Sequence, residues 1–183
     1  MKKLFSIVAF LLCLIVTDAT AAPVGTWNAY PAYTDIKRIE DTGSIVFVLA
    51  SGGLYSYNPT DQSIQTYDKV NALSDCSISD IAWCRQAGRL VVVYENYNID
   101  LVSVDGKVTN MSEYYNKSLT EDKTINGITI NGTDAYLSTG FGIVRIDVRN
   151  AAISDTYNLG VKVNATALSG NNIFAATADG MYR

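Results

Sequence analysis

Asp35, Asp80 and Asp100 are the side chains in this sequence with the right chemistry for general acid and base work. A pair of carboxylates about 5 to 9.5 Å apart is what glycoside hydrolysis requires. Nothing in the spacing of the three singles out a pair, and turn-forming or solvated carboxylates are the competing reading. The sequence contains no histidine, which excludes histidine-dependent triads and the common His-based zinc sites. Gly52-Gly53 and Gly140-Phe141-Gly142 lie between apolar strand patterns and are not followed by a helix with a basic residue, so they make no phosphate loop. Cys76 and Cys84 are too few for a metal motif, and Asp105-Gly106 and Asp134 lack the run of oxygen ligands of a calcium loop. These residues therefore assign no catalytic group, no metal ligand and no cofactor. The tyrosines at 55, 57, 94, 97, 114, 115, 136 and 157 could stack on sugars, but most alternate along strands, where packing is the expected role.

The elements that would position these groups recur. Aligned on their middles, four copies of one pattern read Ile45–Tyr57, Leu90–Val102, Ala135–Ile146 and Ile173–Tyr182. A unit of about 45 residues holding only strands and turns is the mark of a β-propeller. The fold class is all-β: a partial propeller of four-stranded antiparallel blades, about three and a half of them, over 33–75, 76–122, 123–160 and 161–183. The chain stops at Arg183 inside the fourth copy, so we expect it to be the front of a longer protein. A four-bladed ring is the alternative, with Gly25–Tyr30 supplying the missing strand. Trp27 has no partner in the first unit and is expected to pack in a closing blade.

Period-2 alternation and Gly/Asn/Asp punctuation predict strands near Ile36–Glu40, Ile45–Ala50, Leu54–Tyr57 and Ile64–Tyr67 in the first unit. The second is expected at Ile78–Trp83, Arg89–Tyr94, Ile99–Ser103 and Val108–Met111. The third is expected at Ile125–Ile130, Ala135–Ser138, Ile143–Asp147 and Ile153–Tyr157. A strand between Cys76 and Cys84, at about 3.3 Å per residue, separates their Cα atoms by well over the roughly 4.4 to 6.8 Å of a disulfide. The blade signature is a glycine turn followed by apolar and aromatic residues: Gly53, Leu54 and Tyr55, then Gly142 and Ile143, then Gly180, Met181 and Tyr182. Each unit also opens on a short polar residue, Asp35, Asp80, Asn126 and Asn164. Recurrence once per unit favours an Asx-type turn over a ring of ligands. Ser112–Thr124 is the one long stretch without strand character. Met111, Tyr114, Tyr115 and Leu119 fall there at helical spacing, making Tyr114, Tyr115 and Lys117 the candidate contact residues.

Lys2-Lys3, the apolar run Leu4–Val16 and the small residues Ala19-Thr20-Ala21 read as a secretory signal peptide over 1–21, leaving a propeller domain over 22–183. The run is too short to span a bilayer. The whole chain has 14 basic and 18 acidic side chains; without Lys2, Lys3 and Asp18 the mature chain keeps 12 against 17, a net charge of −5. That balance repels phosphate backbones and argues against nucleic acid. The expected location is the periplasm or the outer-membrane surface.

The stretches Ser51–Tyr57 and Ala178–Tyr182 resemble the repeats of two-component regulator propellers. Tyr94–Leu101, Asp122–Asn126, Ala135–Val144 and Ile153–Gly160 together resemble the N-terminal propeller of PorZ-type proteins of the type IX, or Por, secretion system of Bacteroidetes. That resemblance covers about Trp27 to Arg183 and implies a non-enzymatic cell-surface subunit. Its implied partners are other Por secretion subunits, including a sortase-like partner, and anionic lipopolysaccharide, with a role in attaching secreted cargo. It implies no catalytic residues and no cofactor. The alternative is a periplasmic glycan-sensing propeller of a hybrid two-component regulator.

Overall fold

The computed structural model describes residues 32–183; the expected signal peptide, Trp27 and Gly25–Tyr30 lie outside the described residues. Four antiparallel sheets follow one another along the chain, each a meander in sequence order. The first holds β1 (Ile36–Asp41), β2 (Val46–Ala50), β3 (Gly53–Tyr57) and β4 (Ile64–Tyr67). The second holds β5 (Ile78–Cys84), β6 (Arg89–Tyr94), β7 (Ile99–Ser103) and β8 (Val108–Asn110). A one-turn helix, α1 (Glu113–Asn116), precedes the third sheet of β9 (Ile125–Asn131), β10 (Asp134–Thr139), β11 (Gly142–Asp147) and β12 (Ala152–Asn158). The last sheet has three strands, β13 (Val163–Ser169), β14 (Asn172–Thr177) and β15 (Gly180–Tyr182). These are propeller blades, and the expected strands match them to within a residue or two.

Blades pack face to face because each middle strand is apolar on both faces. Val91 and Val93 of β6 point to the third blade, where they meet Leu137, Val144 and Ile146. Leu90, Val92 and Tyr94 point the other way and join Phe47, Leu49 and Leu54 of the first blade. A smaller cluster of Tyr136, Ile143, Val163 and Ala175 closes the third blade on the fourth. Each core is thus shared by two consecutive blades, and no blade has one of its own.

The blade signature takes its meaning from this arrangement. Sheet register makes Leu54, Ile99, Ile143 and Met181 equivalent, each at the start of the third strand and facing the following blade. The first three are 0%, 0% and 2% exposed, whereas Met181 is 73% exposed because no further blade follows among the described residues. Tyr182, on the opposite face of β15, turns back toward Ile143 and Tyr157 of the third blade, and Tyr55 is half-buried against the edge of Tyr33, with ring centroids 5.0 Å apart. In the third blade the signature glycine is required by sterics. A Cβ built on Gly142 would overlap the carbonyl oxygen of Tyr157 in β12, while one built on Gly180 meets nothing within 4 Å.

Each innermost strand also carries a β-bulge near its start, which the alternation pattern did not reveal. The pairing skips Lys37, Ser79, Asn126 and Asn164 in turn. An extra residue there increases the local twist of the strand next to the axis. Cys76 and Cys84 are both free thiols, Cys76 exposed ahead of β5 and Cys84 buried at its end, and burial pushes the Cys84 thiol up.

Gly142→Ala should lower stability by about 1–3 kcal/mol more than Gly160→Ala, since both have positive φ but only the first meets the neighbouring backbone. Urea unfolding of the two variants checks this; equal losses would show that the contact with Tyr157 is unimportant.

Candidate functional site

The meander places the long connections at one end of the blades, where the innermost strands begin. This end carries the β4–β5 connector, residues 68–77, and the β8–β9 segment, residues 111–124. The sequence reading singled out the second and missed the first.

The connector forms one wall of a cleft of about 340 Å³ between the first two blades, lined by Ser51, Gly52, Leu73, Asp75, Cys76 and Ile78 among others. Two carboxylates hold it in place. Asp100 is fully buried and takes hydrogen bonds from the backbone N–H of Ser74 (2.8 Å), the Tyr94 hydroxyl (2.6 Å) and Asn110 Nδ2 (2.8 Å). Burial, followed by the hydrogen bond to Asp100, pushes the Tyr94 hydroxyl far up, so it stays a donor. Asp75 accepts hydrogen bonds from Asn96 Nδ2 and the Cys76 N–H, and pairs with Lys69 at 3.5 Å. Partial burial raises the Asp75 pKa, but the bonds from Asn96 and Cys76 outweigh it and leave the carboxyl below its usual value.

The three sequence-selected carboxylates do not converge. Asp100 is saturated by donors from the second blade and the connector. Asp80 accepts a two-point ion pair from Arg38 on β1, Nε at 2.8 Å and Nη2 at 3.0 Å, which bridges the first two blades beside the axis. Asp35 is exposed, with its backbone N–H donating to Ser51 Oγ at 3.2 Å. No group of three or more metal-ligating side chains occurs among the described residues.

The recurring polar residue at the head of each unit needs correction. Asp35 precedes its strand, Asp80 is the third residue of β5, and Asn126 and Asn164 occupy the bulges of β9 and β13, so the four are not equivalent. Their work is between blades more than within a turn: Asp80 binds Arg38, and Asn126 Nδ2 donates to the Val163 carbonyl at 2.9 Å. Two hydroxyls continue that seam between the third and fourth blades. Thr129 Oγ1 donates to the Thr166 carbonyl at 2.7 Å, and Ser138 Oγ lies 2.8 Å from Thr166 Oγ1.

The β8–β9 segment contains the helical turn expected there, α1. Tyr114 is 2% exposed and points into the core shared by the second and third blades, its hydroxyl donating to the Lys123 carbonyl at 2.9 Å. Burial pushes that hydroxyl up. As a contact residue Tyr114 is therefore corrected to an anchor, while Tyr115 and Lys117 are exposed. Sequence reasoning missed Lys123, whose ammonium donates to the Tyr115 and Lys117 carbonyls at 2.8 and 3.0 Å. The downstream end of the segment is equally fixed. Asp122 Oδ1 accepts from the N–H and hydroxyl of Thr124, which hold its carboxyl below the usual range, and Gly140 leaves no room for a Cβ, which would lie 2.5 Å from the Asp122 carbonyl oxygen.

Asp100→Asn turns one acceptor oxygen into an amine that faces donors, so it should cost about 1–3 kcal/mol, whereas Asp35→Asn should cost under about 0.5 kcal/mol. Chemical denaturation of both variants provides the comparison; an unaffected Asp100→Asn protein would remove the connector's anchor from the account. Acid should also weaken this end of the molecule. Asp75 and Asp122 have depressed folded pKa values, so their contribution is complete above the unfolded value of about 3.9 and is lost as pH falls through the folded values. The urea midpoint should fall as pH drops below about 4, and an Asp75→Asn/Asp122→Asn double variant should show a shallower fall; an unchanged slope would contradict the assignment.

The fold and these groups can now be set beside known proteins. The family model described as TSS9, PorZ, N-terminal beta-propeller domain matches residues 46–183. No curated protein matches the chain. Among solved structures, PorZ of Porphyromonas gingivalis, described as an essential bacterial surface component of the type-IX secretion system, matches with a TM-score of 0.79 and 33% identity. The match covers 86% of this chain and 21% of that one, so the chain spans about a fifth of that protein's length. The extracellular domain of BT4673 from B. thetaiotaomicron, described as a one-component or hybrid two-component system, matches at TM-score 0.64 and 18% identity over 85% of this chain and 21% of that one. AztD from Citrobacter koseri matches at TM-score 0.60 and 16% identity, covering 78% and 41%. The last two similarities show the propeller fold alone. Both the family match, which takes in the second to fourth blades and most of the first, and the 33% identity place the chain in the PorZ N-terminal β-propeller family.

Proposed function

We propose that this chain is the propeller portion of a non-enzymatic type IX secretion component, working in the periplasm or at the outer-membrane surface as a scaffold for cargo attachment. Family membership carries the reading. The chemistry of the carboxylates supports it: Asp80 is committed to Arg38 across a blade seam and Asp100 to three donors. Groups saturated in this way fix backbone and do not exchange protons with a substrate. The described helices include none long and apolar enough to cross a membrane. A signal peptide over 1–21 would deliver the chain across the inner membrane, and the domain would begin at residue 22. Its partners in this reading are other Por subunits, a sortase-like one among them, and anionic lipopolysaccharide carried by the cargo. No cofactor enters.

Deleting the gene in the source bacterium should abolish surface display of type IX cargo, and a plasmid copy should restore it. Normal cargo display combined with loss of a glycan-induced transcriptional response would overturn this reading in favour of a sensor of the kind that shares the fold at 18% identity.

A further inference from the structure

The β8–β9 segment is built differently from the other long connection. The connector at 68–77 spends itself on the blade seam, with Leu73 buried and Ser74 and Asp75 bonded to the second blade. Residues 111–124 are held at both ends and at one internal point, yet project their middle into solvent. Met111 and Tyr114 are buried at the upstream end, and Gly140 donates its N–H to the Thr124 carbonyl at the downstream end. Between them Lys123 donates to the carbonyls of Tyr115 and Lys117, and its ammonium lies 5.3 Å from the centroid of the Tyr114 ring. A lysine normally gains most by leaving its ammonium in water. Here it is bound to two carbonyls at the end of a four-residue helix that has no basic residue in its own last turn.

The product of this bracing is an ordered knuckle with Tyr115 at its tip, 47% exposed. Among the described residues, the other large exposed aromatic is Tyr182, in the edge strand of the last blade. A rigid aromatic displayed on a pre-ordered loop loses little entropy on contact and is the residue type that dominates protein interfaces. Local charge decides what kind of partner it fits. Glu113, Glu121 and Asp122 lie on this segment with Lys117 and Lys123, and exposed Lys162, ahead of the fourth blade, is near enough to Asp122 to lower its pKa. Three carboxylates against three ammonium groups leave no net positive charge to draw a polyanion, whether lipid headgroup or acidic glycan.

We propose that the Tyr115–Lys117 knuckle docks into a pocket on another protein, and that Lys123 is the positioning residue that keeps the knuckle in its docking shape. Tyr115 fills the pocket, and Lys117 meets an acidic or carbonyl-bearing rim. The proposal rests on the reading that the chain acts by contact within the secretion apparatus.

Two measurements on the full-length protein test it. In solution, Lys123→Met should speed amide hydrogen exchange across residues 113–120 at least tenfold while leaving β6 and β10 unchanged; an unchanged segment would overturn the positioning role. In cells, a photo-crosslinking amino acid at position 115 should give one discrete protein adduct, absent when the crosslinker is at exposed Ile64, and reduced at least fivefold by Lys123→Met. No adduct, a lipopolysaccharide ladder, or an adduct indifferent to Lys123 would overturn the docking role. Cargo display followed in the same strains separates the outcomes. Normal display without an adduct in the position-115 strain, together with normal display after gene deletion, refutes the functional reading. Lost display after deletion with no adduct at 115 refutes the knuckle alone.

Discussion

The burial of one blade's face against the next is the interaction on which everything else here depends. A four-stranded sheet that is apolar on both faces is insoluble alone and stable only between two neighbours. The three apolar clusters each straddle a pair of blades, so stability accumulates at seams between repeats, in the manner of a one-dimensional array. The seams are unequal. Thirteen buried residues join the second blade to the third, against four joining the third to the fourth, where the hydroxyls of Thr129, Ser138 and Thr166 add polar links. Among the described residues, the seam between the third and fourth blades is therefore expected to open first.

Polar chemistry follows the seams as well. Arg38 to Asp80, Asn126 to the Val163 carbonyl and Asp100 to the Ser74 amide each cross from one repeat to the next or to the connector between them. The Arg38–Asp80 pair is partly exposed, so its direct contribution is about 1 kcal/mol or less, and its value lies in fixing the angle between blades. Asp100 is the more consequential group, because its loss would leave the buried Tyr94 hydroxyl without its acceptor and release the Ser74 amide of the connector. Two of the three carboxylates that read as catalytic candidates in the sequence, Asp80 and Asp100, thus serve the joints of the repeat.

Strands and their order were legible from the sequence because alternation and turn glycines are local signals, and the middle strands β2, β6 and β10 are buried on both faces. The signature Gly142-Ile143 could be read for the same reason, as could the helical turn at Tyr114. Bulges were not legible: an inserted residue breaks alternation without announcing where, and aligning Asp35, Asp80, Asn126 and Asn164 by type concealed that they occupy three different places. The burial of Tyr114 beside the exposure of Tyr115 depends on the direction of a one-turn helix, which adjacent tyrosines do not encode. Lys123 was out of reach altogether, since a lysine that caps carbonyls six and eight residues back looks like any surface lysine in sequence. The bond that ties the connector to Asp100 was equally hidden, because Ser74 is 26 residues away and only the packing of the blades brings it there.

The central claim is that the blades form a scaffold displayed to extracytoplasmic partners. Its most direct test is topological. An epitope inserted at Thr60, the exposed hairpin between β3 and β4, should be labelled by antibody on intact cells or after outer-membrane permeabilisation alone. Labelling that appears only once the inner membrane is breached would place the propeller in the cytoplasm and contradict the account.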